Sequence, residues 1–415
     1  MTLIELFDYS PLQNISGVLK FPVDKVYFVG TNMRKMKAVN DVYRKIWQRF
    51  GKNININTVC IPTYDMCIAA DKLCEIIKSE NEVLIDVSGG SDYLLAATGI
   101  AYERCKKEKV QLHHVSVRSG KFISFDKTYH APASDTRINL SCDEVIELHG
   151  GKIVYSDDKK SGTVKWDFND DGFRDDVEKI WSICKKDNRN WNRSCARLGE
   201  LENFAHAVEP YNCTDHLNVD ISKKYAYSKN KSQLVKDIIS HLDKLSEAGL
   251  IKGYVNSADA LSFTFKNEQI RQCLLKAGNA LELITYLAAT EARSPKGKKV
   301  YCDALSGVVL DWDGILDRKN DTENEIDGLF IKGMIPVFVS CKNGGVDENE
   351  LYKLQSVAEH FGIKYAKKAL VATDLQKNYS SLCYFQKRAS EMGITIIDGV
   401  HRMTFAELCK KLANI

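Results

Sequence analysis

The sequence lacks the patterns that assign most chains of its size to a class. Its thirteen cysteines are dispersed without a Cys-x-x-Cys pair or a Cys/His cluster, and its nine histidines show no metal-ligand spacing. Neither a zinc site nor a disulfide framework is therefore expected, and scattered thiols suit a reducing cytoplasm. No uninterrupted apolar stretch approaches the length of a bilayer span, so no membrane partner is expected. The opening Met-Thr-Leu-Ile-Glu-Leu-Phe-Asp carries acids within its apolar run and no basic n-region, so it reads as a strand and not a signal peptide. Gly-x-Gly-x-x-Gly is absent, which removes the dinucleotide fingerprint. There are no repeats or low-complexity tracts. Net charge is only +3, so any nucleic-acid surface must be local, as at Arg293, Lys296, Lys298 and Lys299 or at Lys364, Lys367 and Lys368.

What is present is 415 residues, 44% hydrophobic and 27% charged, enough for two or three domains with a sizeable core. Residues 3–7, 25–30, 56–61, 82–87 and 110–117 are apolar, β-branched runs separated by helical segments. That alternation predicts a doubly wound parallel sheet. In such sheets ligands bind beyond the carboxyl ends of the strands, where glycine admits a close backbone and helix amides face an anion. Three loops fall there: Asp8 to Asn14, Gly30-Thr31-Asn32-Met33-Arg34, and Ser88-Gly89-Gly90-Ser91-Asp92. They are candidate cradles for a phosphate or nucleotide, and the same glycines also fit ordinary tight turns.

The C-terminal part carries a different pattern. Residues 325–331 and 335–341 read as a hairpin about Lys332-Gly333-Met334, with Asp327 roughly opposite residues 338–340. Phe338, Ser340 and Lys342 share one face of the second strand, so Asp327 and Lys342 can meet. A carboxylate, a backbone carbonyl and a lysine are the parts needed to hold a divalent cation and activate a water against a phosphodiester. A surface hairpin with a salt bridge would use the same residues. Upstream, Gly278 to Glu282 opens an amphipathic run with Leu281, Ile284, Tyr286, Leu287 and Ala288 at helical spacing. Strand 306–312, the hairpin, helix 350–361 and a further strand complete the order.

This hairpin and element order resemble the PD-(D/E)xK nucleases, a restriction-endonuclease-like α/β/α fold. One departure is Ser340, where that family usually has an acid; a hydroxyl is the weaker ligand for a hard cation. Ile4-Glu-Leu-Phe-Asp-x-x-Pro-Leu-x-Asn14, Val26-Tyr-Phe-Val-Gly-Thr31 and Ile85-Asp-Val-Ser-Gly-Gly-Ser-Asp92 look like the CRISPR-associated Rossmann fold, the CARF sensor of cyclic oligoadenylates. Together the two parts resemble the CARF nuclease effectors of type III CRISPR immunity. The resemblance implies a homodimer that binds cyclic tetra-adenylate or cyclic hexa-adenylate through loops around Ser10, Asn14, Thr31, Asn32, Ser88, Gly89 and Gly90. It further implies that Asp327, the Cys341 carbonyl and Glu282 hold Mn²⁺ or Mg²⁺, that Lys342 orients or deprotonates the attacking water, and that the substrate is nucleic acid.

The expected division is residues 1–140 for the sensor, 141–265 for a connector and 266–415 for the nuclease. Residues 156–162 and 188–193 read as turn-rich. Residues 232–248 read as an amphipathic helix stopped at Gly249, followed by a hairpin at 250–265, which fits either a winged-helix fragment or a brace. Two other functions remain open at this point. One is a ligand-independent restriction or repair nuclease; the other is a non-catalytic, ligand-gated regulator that binds nucleic acid through this helix and hairpin.

Overall fold

The structure is a computed structural model that describes residues 1–7, 10–106, 109–117, 121–124, 138–159, 161–169, 172–208, 216–226, 230–257, 260–315, 323–375 and 379–415. Asp8 and Tyr9 of the first loop lie outside them. The N-terminal strands are β1 (Thr2–Leu6), β2 (Lys25–Gly30), β3 (Asn55–Cys60), β4 (Val83–Asp86), β5 (Val110–Ser116) and β6 (Lys121–Ser124). Helices α1 (Ser16–Lys20), α2 (Met33–Arg49), α3 (Met66–Ser79) and α4 (Asp92–Arg104) lie between them. The sheet order is β3-β2-β1-β4-β5-β6. Its first five strands pair in parallel and β6 closes the edge antiparallel.

This is the expected doubly wound arrangement, and the core shows why both faces of the strands are apolar. On one face Ile4, Leu6, Val29 and Ile85 pack with Ala69, Leu73, Ile77, Leu94 and Ala97 of α3 and α4. On the other, Phe28 meets Tyr43 and Trp47 of α2 at ring distances of 4.8 and 6.1 Å. The Tyr43 hydroxyl donates to the Pro11 carbonyl at 2.8 Å, so α2 also pins the 3-10 turn Pro11–Ile15 after β1.

Next come α5 (Cys142–Leu148) and β7 (Lys152–Val154), then α6 (Phe173–Lys186), α7 (Asn188–Val208), β8 (His216–Asp220), α8 (Ile221–Lys224), α9 (Lys231–Glu247), β9 (Ile251–Asn256), β10 (Ala260–Phe265) and α10 (Glu268–Leu275). The chain finishes with α11 (Asn279–Glu291), β11 (Asp303–Asp311), β12 (Glu323–Lys332), β13 (Ile335–Lys342), α12 (Asn349–Phe361), β14 (Lys367–Ala372), α13 (Tyr379–Glu391), β15 (Ile394–Ile397) and α14 (Phe405–Ala413).

A second six-stranded sheet runs β15-β14-β13-β12-β11-β7. The edge strand β7, from the segment read as connector, pairs antiparallel with β11. A three-stranded antiparallel sheet runs β8-β10-β9. The chain divides into two compact units: residues 1–154, 300–338 and 353–368 in one, and 155–299, 339–352 and 369–415 in the other.

Two expectations are corrected. The run 188–193 is not a turn but the opening of the 21-residue α7, because Trp191 is buried, donates to the Ala277 carbonyl at 3.0 Å and packs edge-on to His241. Tertiary burial overrides a polar, asparagine-rich local sequence. Helix α11 is not amphipathic: Asn279 through Thr285, then Leu287 to Ala289, are all buried, and α6, α10 and α14 pack around it. A helix enclosed in this way needs no polar face.

Candidate functional site

The carboxyl edge of the N-terminal sheet is built on buried polar groups. Asp86 ends β4, and its Oδ1 accepts from the Ser88 amide at 2.7 Å and from the Ser88 hydroxyl. The Ser88 Oγ in turn accepts from the Val115 amide at 2.5 Å, which ties the loop to β5. Glu5 of β1 and His113 of β5 stand beside Asp86 in the parallel register. His113 Nε2 is 3.2 Å from Asp86 Oδ2, and all three side chains are at most 1% exposed. Burial, and then the Asp86 charge, hold the Glu5 carboxyl well above the usual carboxylate range, against a smaller lowering by the Asn14 hydrogen bond.

The cradle glycines sit where a side chain has no room. A Cβ on Gly89 would lie 2.5 Å from the Leu6 carbonyl oxygen and 2.4 Å from Gln13 Nε2, and Gly90 adopts φ +90°. Gln13 accepts a hydrogen bond from the Tyr365 hydroxyl at 3.1 Å. Of the ligand residues expected from sequence, Ser10, Asn14 and Gly89 are buried, and Asn14 donates its amide to Glu5 at 2.8 Å. Gly30, also buried, closes β2 against Met36 and Phe7. Thr31, Asn32, Ser91 and Asp92 are exposed, with Met33, Ser88 and Gly90 half-buried. Asn32 caps α2 by accepting from the Lys35 amide, and Ser91 caps α4 by accepting from the Leu94 amide. The N-termini of both helices, each with one first-turn amide taken by its cap, thus lie at this edge.

The second group of residues belongs to the C-terminal sheet. The hairpin turn is Gly333-Met334, with Gly333 at φ +70°, between β12 and β13. Asp327 lies half-buried on β12, in the first compact unit. In the second unit, Ser340 and Cys341 are buried on β13, and Lys342 ends that strand with its Nζ 3.0 Å from Glu350 Oε2. Glu350 stands in the first turn of α12, where a carboxylate complements the helix dipole. Sequence reasoning missed it, since an acid in a first helical turn carries no signal of a partner eight residues earlier.

Beyond Lys342 a polar network continues. The Thr373 amide donates to the Lys342 carbonyl at 3.1 Å, and the Thr373 hydroxyl donates to Asn343 Oδ1 at 2.9 Å. Asn343 also donates to Asn192 of α7 at 2.8 Å, and His401 Nδ1 meets the Thr373 carbonyl. None of these residues carried a motif.

Glu282 is buried in the first turn of α11, 3.9 Å from Lys276 Nζ, and Gly278 leaves room for it: a Cβ there would lie 2.5 Å from its Oε1. The expected ligands, namely the Asp327 and Glu282 carboxylates and the Cys341 carbonyl, are all oxygen donors. That donor set suits Mg²⁺ or Mn²⁺ and does not suit a thiolate-selected metal. Among the described residues no cluster of three or more His, Cys, Asp or Glu side chains stands ready to hold a metal.

Fold and edge geometry define the class: a mixed α/β protein whose N-terminal parallel sheet carries a glycine cradle at its carboxyl edge. No family model and no curated protein matches the chain by sequence. Particular solved structures do share its fold. Protein VC1899 from Vibrio cholerae superposes with a TM-score of 0.71 at 15% identity, over 100% of this chain and 97% of that one. Can2 from Sulfobacillus thermosulfidooxidans, solved in complex with cyclic tetra-adenylate, superposes with a TM-score of 0.60 at 16% identity, over 100% and 96%. Among the described residues no helix is long and apolar enough to cross a membrane.

Proposed function

We propose that this chain is a cyclic-oligoadenylate-activated, metal-dependent endonuclease of type III CRISPR antiviral defence, acting as a cytoplasmic homodimer. The observation that carries the reading is full-length fold likeness to Can2, a protein solved with cyclic tetra-adenylate, in a chain that has both a glycine cradle and a hairpin lysine. Residues 1–140 are the sensor, 141–265 the connector and 266–415 the PD-(D/E)xK nuclease. The sensor takes cyclic tetra-adenylate, or the hexa-adenylate, at the edge formed by the loops around Thr31–Met33 and Ser88–Asp92, with phosphates facing the open amides of α2 and α4.

Asp327, Glu282 and the Cys341 carbonyl would hold Mn²⁺ or Mg²⁺, which would supply Lewis-acid polarisation of the phosphodiester and a more acidic water. Lys342, held by Glu350, would orient the attacking water and stabilise the charge that builds on the phosphate. Ser340 occupies the position of an acid and contributes only a hydroxyl, so the site binds its cation weakly and favours Mn²⁺.

The test is incubation of the purified protein with labelled single- and double-stranded DNA and RNA, with and without each cyclic oligoadenylate and Mn²⁺. Cleavage that requires both ligand and metal is expected. Cutting without any cyclic oligoadenylate would replace the reading with a ligand-independent restriction or repair nuclease.

A further inference from the structure

The segment α7-β8-α8-α9-β9-β10 has a third organisation, separate from either sheet edge. Its order is helix, strand, helix, helix, hairpin, and β10 lies between β8 and β9. Leu217 and Val219 of β8, Leu261, Phe263 and Phe265 of β10, and Ile238, Leu242 and Leu245 of α9 form its core. Helix α8, the longer α9 and the β9–β10 hairpin therefore follow one another in the order of a helix-turn-helix with a wing. The first half of α9 turns Lys231, Ser232, Gln233 and Lys236 to solvent, its one acid there, Asp237, being half-buried and paired with Arg197, while Asp243 and Glu247 fall in the second half. In a helix-turn-helix it is the N-terminal part of the second helix that meets base edges.

Between α7, the end of α8 and the start of α9 lies a cavity of about 260 Å³ walled by Arg193, Arg197, Glu200, Lys224, Tyr225 and Leu234. A liquid water occupies about 30 Å³, so the space admits a phosphate group with part of its hydration. Three cations face one carboxylate there. Arg197 is held by Asp237 at 2.6 Å, Lys224 lies over the Phe204 ring at 5.5 Å, and Arg193 donates to Asn190 at 3.4 Å while its charge also acts on Asp237. Tyr225 is 4% exposed, and its buried hydroxyl has no hydrogen-bond partner among the described residues. A buried donor without a partner is destabilising, and a ligand oxygen would remove that cost. Burial, then the Glu200 charge, raises the Tyr225 pKa, so the phenol keeps its proton to donate.

We propose that this helix-and-wing module is a second nucleic-acid site, separate from the hairpin lysine, that docks duplex DNA with a backbone phosphate in the Arg193–Lys224–Tyr225 cavity and α9 in the major groove. Duplex DNA is favoured because its major groove, about 12 Å wide, admits a helix, whereas that of A-form RNA is too narrow and deep. The inference rests on the proposed function only in placing the DNA on a nuclease.

Fluorescence anisotropy with a labelled duplex of about twenty base pairs tests it, using full-length Lys342→Ala so that no DNA is consumed. Reversing both Arg193→Glu and Lys224→Glu should weaken duplex DNA binding about tenfold or more and flatten its salt dependence by one to two units of slope, each phosphate contact being worth about one. Tyr225→Phe, with thermal unfolding unchanged, should weaken it several-fold. Unchanged binding in the double variant, or equal affinity for an RNA duplex of the same sequence, overturns the inference. Loss of binding in the variants, in a protein that cuts no nucleic acid under any condition, leaves this inference standing and removes the nuclease.

Discussion

The two polar clusters of this chain each place a glutamate beside another titratable side chain, but at opposite degrees of burial. Under the cradle of the N-terminal sheet, Glu5, Asp86 and His113 are almost wholly enclosed; Glu5 accepts from Asn14, Asp86 accepts from Ser88, and His113 stands 3.2 Å from Asp86. At the end of β13, Lys342 and Glu350 are 32% and 19% exposed and pair at 3.0 Å where water reaches them. Full burial turns acids into scaffolding that fixes a backbone loop. Partial exposure leaves a cation able to meet a substrate. Burial is therefore what distinguishes the proposed binding edge from the proposed reacting one.

The comparison is broken most severely at Gly89. Gly89→Ala drives a Cβ into the Leu6 carbonyl and Gln13, an overpacking of about 1–3 kcal/mol. Isothermal titration of the variant with cyclic tetra-adenylate is expected to show no binding, together with a lowered melting temperature. Wild-type affinity there would mean that the cradle is only a tight turn.

At the other cluster, Glu350→Gln keeps the shape and removes the charge that positions Lys342. A half-exposed pair contributes about 1 kcal/mol or less to stability. Melting should stay unchanged while kcat falls about tenfold from lost orientation, with KM little altered. A change in KM alone would assign Glu350 to substrate binding. Ser340→Glu sharpens the same cluster by adding a hard-cation ligand. The Mn²⁺ concentration for half-maximal cleavage should drop several-fold, and an unmoved titration curve would place the ligands elsewhere.

The smallest effect is expected at Glu5. Its pKa is raised in the folded chain, so its contribution to stability is complete below the unfolded value of about 4.3 and is lost as pH rises toward the folded one. Glu5→Gln can still accept from Asn14 and should remove that loss. Melting temperatures of variant and wild type should agree near pH 4 and separate in favour of the variant as pH rises. Parallel curves would show Glu5 ionised in the native state.

Much of this was legible in the residues. The five parallel strands are β-branched runs at regular spacing. The β12–β13 turn carries its Gly333, and α9 stops before Gly249 at φ +72°. What escaped depends on tertiary contacts. Trp191 makes 188–193 helical only because His241 and the Ala277 carbonyl are there to meet it. β7 has three residues and gains its place from β11. At the candidate sites, residue types marked Lys342 and the cradle glycines, whereas Glu350, Thr373 and His401 became visible only through their partners.

The separation of binding edge from reacting edge is tested most directly in one variant, Lys342→Ala, by measuring nucleic-acid cleavage and cyclic tetra-adenylate affinity on the same preparation. The account predicts wild-type affinity for the ligand with cleavage reduced by about two to four orders of magnitude. Undiminished cleavage, or loss of ligand binding along with it, would contradict the account.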